Sequence, residues 1–297
     1  MTPRLKYAKS ALRHCCRLVG RRNLYRVSRF LMHAARGDVP NDPGSNGEQM
    51  VQGHALHACQ APAIVFDIGA NVGNWTASLL GLAAGMKIPV DVHAFEPCRS
   101  TFQRLSERAR QWPSIRLNQL ACSRQPGTAK MHVFGDGFGI NSLVDPVEDW
   151  VSQSEEVQLT TIDLYCKDQA VHAIDLLKVD AEGHDFDVLV GATNMLENGA
   201  IRLIQFEYNQ RWIGARNYLR DVFEFLTPKG FVIGKLSGSQ VEIYSKWQWE
   251  LENYVEGNYI ACSEPESRQF RRGLPSWLPA LGGISARLPA PAQPERN

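Results

Sequence analysis

Residues 64–73, with the sequence IVFDIGANVG, constrain the fold of this chain more than any other segment. The first five residues form a short, continuous apolar run, which is typical of a parallel strand buried on both faces. Asp67 interrupts this run, and Gly69 and Gly73 allow the backbone to approach a ligand closely. A helix is predicted from Trp75 to Ala84, with its N-terminal amides facing the same crevice. The segment therefore predicts an α/β fold that binds an anionic or zwitterionic ligand.

The spacing of the glycines separates two kinds of nucleotide site. A dinucleotide fingerprint needs Gly-x-Gly-x-x-Gly, whereas Asn71 stands where the second glycine belongs. A phosphate-binding loop needs Gly-Lys-Ser/Thr, whereas Gly73 is followed by Asn74. The remaining pattern, Asp-x-Gly-x-x-x-Gly, resembles the first motif of class I S-adenosylmethionine-dependent methyltransferases. At this point a tight strand-to-helix turn in another α/β protein stays open as the alternative.

A second apolar strand, from Val90 to Phe95, ends in an acid. Glu96 follows the first acid, Asp67, near the separation at which a strand-end carboxylate meets a ribose in doubly wound folds. Pro97 then stops the strand. The alternative role for Glu96 is to cap the helix predicted from Arg99 to Arg110, and the two roles are compatible.

The third element carries the most specific pattern. A strand from Asp175 to Asp180 leads into the sequence AEGHD and then into a helical pattern that ends near residues 191–192. The whole segment, LKVDAEGHDFDVLVGA, resembles the signature of the FkbM family of methyltransferases. Residues 159–164 and 201–207 are similar to two further segments of that family. The resemblance covers residues 64–262.

The resemblance implies a Rossmann-like class I methyltransferase fold of the α/β class. We expect a mostly parallel, seven-stranded sheet with helices on both faces, an antiparallel terminal hairpin and a small β insertion. The hairpin is predicted from Phe231–Gly234 and Val241–Tyr244.

The small β insertion is predicted from two alternating segments, Lys130–Phe134 and Glu156–Thr160. A glycine-rich turn from Gly135 to Asn141 follows the first of them. Asn141 and Ser142 are candidates for substrate contact, although such loops are more often plain turns.

The resemblance also implies S-adenosylmethionine as the cofactor and a set of residues that hold it. These cofactor-binding candidates are Asp67, Gly69, Asn71, Gly73, Asn74, Glu96, Pro97, Ala121 and Asp180. The catalytic candidates follow the fourth and fifth strands, which are neighbours in the implied sheet. They are Asp180, Glu182, His184 and Glu207. Asp185 belongs to the same group of candidates for a base or an acceptor contact.

Other roles stay open for several of these residues. Glu182 would otherwise cap the next helix, and His184 would otherwise face solvent in its first turn. No cysteine or histidine cluster indicates zinc, and no metal is expected as a cofactor. A divalent cation held by Asp180 with Glu182 or Glu207 stays open, as does direct contact of these carboxylates with a sugar-like diol. Lys178, within a strand, is expected to pair with an acid or to mark an exposed strand end.

Composition indicates one ordinary domain with two unusual ends. The 297 residues are 44% hydrophobic and 21% charged, and no segment approaches the run of about 18 apolar residues that a membrane span needs. We expect a basic helical extension and linker at 1–46, a methyltransferase domain at 47–262, and a partly disordered, Pro- and Arg-rich tail at 263–297. Seven cysteines without a Cys-x-x-Cys pair favour reduced thiols and a cytoplasmic protein.

The first 36 residues contain ten Lys or Arg and no acid. The remaining chain has 22 basic and 31 acidic residues, a formal net charge of −9. Apolar residues set among the arginines are compatible with one or two short amphipathic helices. Three roles stay open for this basic segment: a helical lid or flank on the acidic domain, peripheral attachment to a membrane surface, and a targeting or disordered segment. A signal peptide is excluded by the lack of an uninterrupted apolar core region.

The resemblance implies a function, O-methylation of a hydroxyl on a glycan, glycolipid or polyketide-like acceptor. In-line positioning of two reactants supplies roughly 7–11 kcal/mol. A general base supplies about 10²–10⁴-fold, or roughly 3–5 kcal/mol, so positioning should dominate. The expected partner is a small-molecule or glycan acceptor and not a nucleic acid. Two alternatives stay open: an NAD(P)-dependent Rossmann enzyme, and a catalytically silent binding protein that keeps the fold.

Overall fold

The computed structural model describes residues 20–39, 42, 44–59, 61–112, 114–134, 141–144 and 153–271. Its strands are β1 (Ala63–Ile68), β2 (Val90–Phe95), β3 (Ile115–Asn118), β4 (Ala121–Cys122), β5 (Gly127–Val133), β6 (Gln153–Thr160), β7 (Ile174–Val179), β8 (Ile201–Tyr208), β9 (Phe231–Ser237), β10 (Gln240–Tyr244) and β11 (Gly257–Ser263). Its helices are α1 (Arg21–Ala35), α2 (Glu48–Ala58), α3 (Asn74–Met86), α4 (Arg99–Ala109), α5 (Ile162–Asp168), α6 (Asp185–Val190), α7 (Thr193–Glu197), α8 (Trp212–Ala215), α9 (Leu219–Leu226) and α10 (Glu264–Arg271). Short 3₁₀ turns lie at Thr227–Lys229 and Trp249–Leu251.

The main sheet has the strand order β10-β9-β11-β8-β7-β1-β2-β3. The strands from β8 to β3 pair in parallel, whereas β11 pairs antiparallel with both β8 and β9. This mixed, mostly parallel sheet is the α/β architecture expected from the sequence. It has eight strands in the described residues and not seven, because β10 adds an edge strand beyond β9. The predicted hairpin of β9 and β10 is present, and β11, which follows it in the chain, inserts between β8 and β9.

The two faces of the sheet carry separate cores, because successive side chains of a strand point to opposite faces. Val65 of β1 packs in a cluster with Val51 of α2 and Leu79 of α3. The next residue, Phe66, belongs to the cluster on the other face, where its ring lies 5.6 Å from that of Tyr165 in α5. Helices therefore cover β1 on both faces, which explains its nearly continuous apolar sequence.

The small β insertion forms a second sheet beside the main one. It has the order β4-β6-β5, with β6 antiparallel to β5 and parallel to β4. This agrees with the prediction from the two alternating segments. Residues 135–140 of the glycine-rich turn lie outside the described residues.

Within the described part of the basic segment, α1 is an amphipathic helix, and none of its residues is buried. The turn that follows it is fixed to the domain, because Asp38 forms an ion pair with Lys235 of β9. In addition, Ser237 Oγ donates a 2.8 Å hydrogen bond to the Gly37 carbonyl. None of the helices in the described ranges combines the length and the apolar character needed to cross a bilayer.

The carboxyl end of the domain differs from the boundary expected after Cys262. The chain continues into α10, where Glu266 accepts a 3.0 Å hydrogen bond from His54 and forms an ion pair with Arg202. Phe270 of the same helix is buried. Helix α10 therefore covers apolar surface of the domain beyond residue 263. The remainder of the predicted tail, residues 272–297, lies outside the described residues, as do residues 1–19.

Candidate functional site

The strand-to-helix turn after β1 leaves room only for glycine at its first position. Gly69 has φ +76°, and a Cβ built on it would lie 1.8 Å from the Asp180 carbonyl oxygen at the end of β7. Gly73 has φ +79° and faces the side chains of Leu105 and Trp112. Between them, Asn71 adopts φ +50°. This left-handed geometry brings the backbone of the turn against the end of the neighbouring strand.

Asp67 lies beneath this turn and is completely buried. Thr76 Oγ1 donates a 2.5 Å hydrogen bond to it, and Lys178 Nζ lies 3.0 Å from its other oxygen. Lys178 also donates to the Gly69 carbonyl at 3.2 Å. Burial by itself lowers the pKa of Lys178, but the charges of Asp67 and Asp180 outweigh this and raise it. The predicted pairing of Lys178 with an acid is present, and it fixes the turn from below.

Glu96 lies at the end of β2 and combines the two roles considered from the sequence. Its Oε1 accepts from the Cys98 backbone N–H, next to the start of α4, and its Oε2 accepts from the Asn71 N–H, each at 3.0 Å. The same carboxyl group lines a cavity above β1. Burial raises its pKa to about 7, against the two backbone hydrogen bonds, which lower it.

This first cavity, called the apolar cavity, has a volume of about 650 Å³. Its hydrophobic wall is formed by Pro97, Leu120, Ala121, Met131 and Leu143. Gly69, Asn71, Glu96, Asp180, Glu182 and His184 supply its polar part. Apolar residues and a strand-end carboxylate in the walls of one cavity suit a nucleoside, whose base packs on apolar surface and whose sugar hydroxyls meet an acid.

A second cavity, called the polar cavity, adjoins it and has a volume of about 750 Å³. The two cavities share Gly69, Asn71 and Asp180. The other walls of the polar cavity are contributed by α2, the first turns of α3 and the ends of the central strands. They include Glu48, Gln49, Gln52, Asn74, Trp75, Ser78, Lys178, Glu207 and Asn258.

Three carboxylates converge where the two cavities meet. Asp180, Glu182 and Glu207 each place an oxygen within 4.8 Å of the others. Arg211 Nη1 binds Glu182 at 2.5 Å, and Asn209 Nδ2 donates to Glu207 at 2.6 Å. Oxygen atoms at this spacing suit a divalent cation as well as the hydroxyl groups of an acceptor.

Crowding of these acids changes their proton affinity. Burial, followed by the charge of Asp180, raises the pKa of Glu182 to about 9. The same two causes, together with the charge of Glu182, raise the pKa of Glu207 well above its ordinary value. Perturbed carboxyl groups in a cleft are typical of sites that move protons.

Two further catalytic candidates, His184 and Asp185, contact residues close to them in the structure. His184 Nε2 lies 2.9 Å from Ser123 Oγ, and its Nδ1 lies 3.4 Å from Asp187. Burial lowers the pKa of His184. Asp185 accepts from the backbone N–H groups of Ala181 and Gly183, and burial raises its pKa to about 7. Asp185 therefore holds the turn that leads from β7 into α6.

The structure thus brings most of the predicted residues to the two cavities. Gly69, Asn71, Glu96, Pro97, Ala121, Asp180, Glu182 and His184 line the apolar cavity, and Asn74 and Glu207 line the polar one. Asp67 and Gly73 line neither cavity among the residues described and act on the shape of the turn. Asn141 also lines the apolar cavity, whereas Ser142 Oγ donates to the Glu182 carbonyl at 2.7 Å.

Sequence reasoning missed the contribution of α2 and β11. Gln49 and Gln52 precede the first recognised strand, and Asn258 follows the last recognised motif. No local motif marks these amides. The weak signal in α2 is the i, i+3 spacing of Gln49 and Gln52, which places both amides on one side of the helix.

The profile of the methyltransferase FkbM domain family matches residues 67–233 of this chain. The hexuronic acid methyltransferase AglP of Haloferax volcanii is 28% identical over 161 residues, which are 51% of this chain. The chain spans 59% of the length of that relative.

This chain is also similar to two solved structures. A methyltransferase FkbM from Methylobacillus flagellatus KT has 14% identity and a TM-score of 0.43, covering 70% of this chain and 47% of its own. An rRNA methylase from Streptococcus thermophilus has 13% identity and a TM-score of 0.37, covering 72% of this chain and 94% of its own.

Proposed function

Because this chain belongs to the FkbM methyltransferase family, we propose that it transfers a methyl group to a hydroxyl of a glycan, glycolipid or polyketide-like acceptor. Its cofactor is S-adenosylmethionine. The observation that carries the choice of a hydroxyl is the group of carboxylates at the junction of the two cavities, because a hydroxyl must lose a proton when it is methylated.

The apolar cavity fits the cofactor. Glu96 would hold the ribose hydroxyls, and the walls formed by Pro97 and Ala121 would hold the adenine. The buried Oδ1 of Asn71 has no hydrogen-bond partner in the described structure, so it is free to accept from a polar group of the ligand. When bound, S-adenosylmethionine supplies a methyl group that its positive sulfur already activates.

The main contribution of the chain is to position the acceptor. The hydroxyl oxygen forms a bond to the methyl carbon while the carbon–sulfur bond breaks, giving a methyl ether, S-adenosylhomocysteine and one proton. Gly69 and Asp180 belong to both cavities, so they lie where donor and acceptor meet. Holding the two in line supplies roughly 7–11 kcal/mol, more than a single base contributes.

We assign to Glu207 the role of the base that accepts the hydroxyl proton. It lines the polar cavity, and a raised pKa makes its carboxylate a stronger base than an exposed glutamate. Asn209 orients it, and Asp180 lies at the same junction. We assign no proton transfer to His184, because both of its ring nitrogens have partners on the side of the apolar cavity.

A glycan is the acceptor class that the comparison favours, since the relative from Haloferax volcanii is named as a hexuronic acid methyltransferase. The amide-rich polar cavity supports the same class, because amides donate and accept in the way that sugar hydroxyls require. The NAD(P)-dependent alternative is disfavoured by Asn71, which occupies the position of the second fingerprint glycine.

The test combines binding with transfer. We expect calorimetry to show binding of S-adenosylmethionine and S-adenosylhomocysteine, and labelled cofactor to methylate an oxygen of a saccharide in extracts of the producing cell. Glu207→Gln should lower kcat by about 10²–10⁴-fold with cofactor affinity unchanged. Exposed Glu250→Gln is the matched control and should retain full activity.

Each alternative has its own outcome in this experiment. Binding of NAD without S-adenosylmethionine supports the dehydrogenase alternative. Absence of affinity for either cofactor supports a silent binding protein. Label found on nitrogen or carbon of the product contradicts O-methylation while leaving the family assignment in place.

A further inference from the structure

We infer that the polar cavity is the acceptor site and that it takes a neutral, polyhydroxylated sugar ring rather than a sugar carboxylate. This inference rests on the proposed function and names the substrate class more narrowly. It is carried by the position of the cavity, the chemistry of its walls and the balance of charge around it.

The position of the polar cavity makes it the neighbour of the donor site. Gly69, Asn71 and Asp180 belong to both cavities, so a molecule in one borders a molecule in the other at these residues. Glu207, the proposed base, lines the polar cavity and not the apolar one.

The walls of the polar cavity present hydrogen-bonding groups of both kinds. Gln49, Asn74 and Asn258 carry amides, each of which donates and accepts, as a sugar hydroxyl also does. Ser78 adds a hydroxyl. Such groups match a ring with several hydroxyls better than the largely apolar surface of a polyketide.

Trp75 gives an independent indication of a ligand. Trp75 is one of the lining residues and is only 9% exposed, and Lys178 Nζ lies 5.8 Å from the centroid of its ring. The indole Nε1 is buried without a hydrogen-bond partner in the described structure. A buried donor of this kind costs free energy unless an acceptor meets it, and a sugar oxygen supplies one.

The charge around the cavity argues against a sugar carboxylate. Glu48, Asp180 and Glu207 are acidic lining residues. Lys178 is the basic residue among the described lining residues, and it is committed to Asp67 at 3.0 Å and to Asp180 at 3.4 Å. A uronate would therefore bring a fourth carboxyl group into a region where burial already raises the pKa of Glu48 and of Glu207, and where no uncommitted cation lies among the described residues.

Four of the residues that line the polar cavity, Glu48, Gln49, Gln52 and Asn258, lie outside the segment that the family profile matches. The family profile matches residues 67–233, whereas Gln49 is on α2 and Asn258 is on β11. The relative from Haloferax volcanii, which is named for a hexuronic acid, matches 51% of this chain. A different acceptor in this chain is therefore compatible with shared cofactor motifs.

The experiment compares matched pairs of sugars on the full chain. Methyl hexopyranosides and the corresponding methyl hexopyranosiduronates of the gluco, galacto and manno series differ only at C6. Binding is measured by saturation-transfer NMR and calorimetry with S-adenosylhomocysteine present. We expect at least one neutral glycoside to bind about tenfold more tightly than its uronate partner, as expected for one unpaired carboxylate.

Charge variants at Gln49 test the site itself. Gln49→Lys should shift the preference towards the uronate by about fivefold, because it adds the missing cation. The same change at Gln103, which is exposed on α4 and lines neither cavity, is the control and should shift nothing. Affinity for S-adenosylmethionine should stay within about twofold in both variants, since neither side chain lines the apolar cavity.

Tighter binding of the uronates, or binding of no sugar in any series, overturns the inference. A change in cofactor affinity at Gln49→Lys without a change in sugar binding also overturns it, because the polar cavity would then hold part of the donor. Failure of the unmodified chain to bind S-adenosylmethionine is a separate result, which contradicts the proposed function instead.

Discussion

At the residue scale, Glu96 shows how burial sets the working range of a binding group. Its carboxyl is held by two backbone N–H groups, yet burial dominates and raises its pKa to about 7. An ionised carboxylate accepts hydrogen bonds from ribose hydroxyls at all its lone pairs, whereas a protonated one has fewer acceptor positions. Cofactor binding should therefore depend on pH in the range where most glutamates are already fully charged.

We expect the affinity for S-adenosylmethionine to fall by up to about tenfold per pH unit below pH 7. Calorimetric titrations from pH 5.5 to 8.5, about the span over which Glu96 titrates, measure this dependence. Glu96→Gln should bind more weakly and lose this part of the dependence. A flat profile for the unmodified chain would contradict the assignment of Glu96 to the ribose.

The raised pKa of Glu96 has the opposite effect on the cofactor-free protein, whose free energy of unfolding falls as the pH rises. A carboxyl whose pKa is raised on folding stabilises the folded state below its ordinary value of 4.5. That contribution is lost as the pH rises from 4.5 to about 7. If the cofactor binds more tightly and the free energy of unfolding falls over the same pH range, both changes report the titration of Glu96.

The pair of Asp67 and Lys178 shows what sequence reasoning at the residue scale can reach. A lysine within a buried strand predicts an acidic partner, since an unpaired charge there is costly. The sequence leaves two roles for Asp67, ordering the glycine turn or contacting the cofactor, and in the structure Asp67 lies beneath the turn. The partners are more than a hundred residues apart, and only the pairing of β1 with β7 makes them neighbours.

At the element scale, the turn between β1 and α3 depends on the strand beside it. The glycine at 69 is needed for its positive φ, which the motif predicts, and for the close approach of the Asp180 carbonyl, which it does not. The second requirement arises from the order of strands in the sheet. It explains why even the smallest side chain should be rejected at this position.

Gly69→Ala should lower the free energy of unfolding by at least about 2 kcal/mol and weaken cofactor binding, because backbone must move to admit the Cβ. Gly81→Ala is the matched control within α3, where a Cβ would meet nothing within 4 Å. It should stabilise the protein by about 0.5–1 kcal/mol. Urea unfolding of both variants measures the difference, and equal midpoints would contradict this account of the turn.

Other elements differ in how far the sequence predicts them. The insertion strands β5 and β6 alternate clearly and were predicted, since alternation reports a half-exposed strand directly. Helix α10 was assigned to the tail, because its sequence is polar and carries a proline. Its place in the domain depends on contacts of Glu266 with His54 and Arg202, which no local pattern encodes.

At the scale of the whole molecule, the basic amphipathic helix is fixed near the same edge of the sheet as the site. Asp38 pairs with Lys235, and Ser237 binds the Gly37 carbonyl, close to the carboxyl end of β9. That strand runs parallel to β8, which ends beside Glu207. On α1, Phe30 is 69% exposed.

We propose that α1 lies on an anionic membrane surface, which would present a lipid-linked acceptor to this edge of the domain. Arg22, Arg26 and Arg29 share one side of the helix, whereas the exposed Val27 and Leu31 share the opposite side and Phe30 lies between the two sides. Binding to vesicles should require phosphatidylglycerol and weaken with salt.

Co-sedimentation of the full chain with phosphatidylcholine vesicles, with and without phosphatidylglycerol, measures this binding. The double variant Phe30→Ser with Leu31→Ser should bind several-fold more weakly, whereas exposed Tyr218→Ser, outside α1, should bind as the unmodified chain does. Equal sedimentation with both kinds of vesicle, or a dimer in light scattering that the double variant abolishes, would contradict membrane attachment.

The sequence by itself determined the class of fold, the family and the donor. These depend on local patterns: an apolar strand, a turn whose backbone needs glycine, and acids at strand ends. Each is encoded within ten to twenty neighbouring residues, because strand geometry and backbone conformation are local properties.

Only the tertiary structure decided which acid pairs with Lys178, how α10 completes the domain, and which amides form the polar cavity. Gln49, Asp180 and Asn258 come from three distant parts of the chain and meet only because β7, β8 and β11 lie side by side beneath α2. Such contacts depend on the order of strands and the packing of helices, which are global outcomes of burying two apolar faces at once.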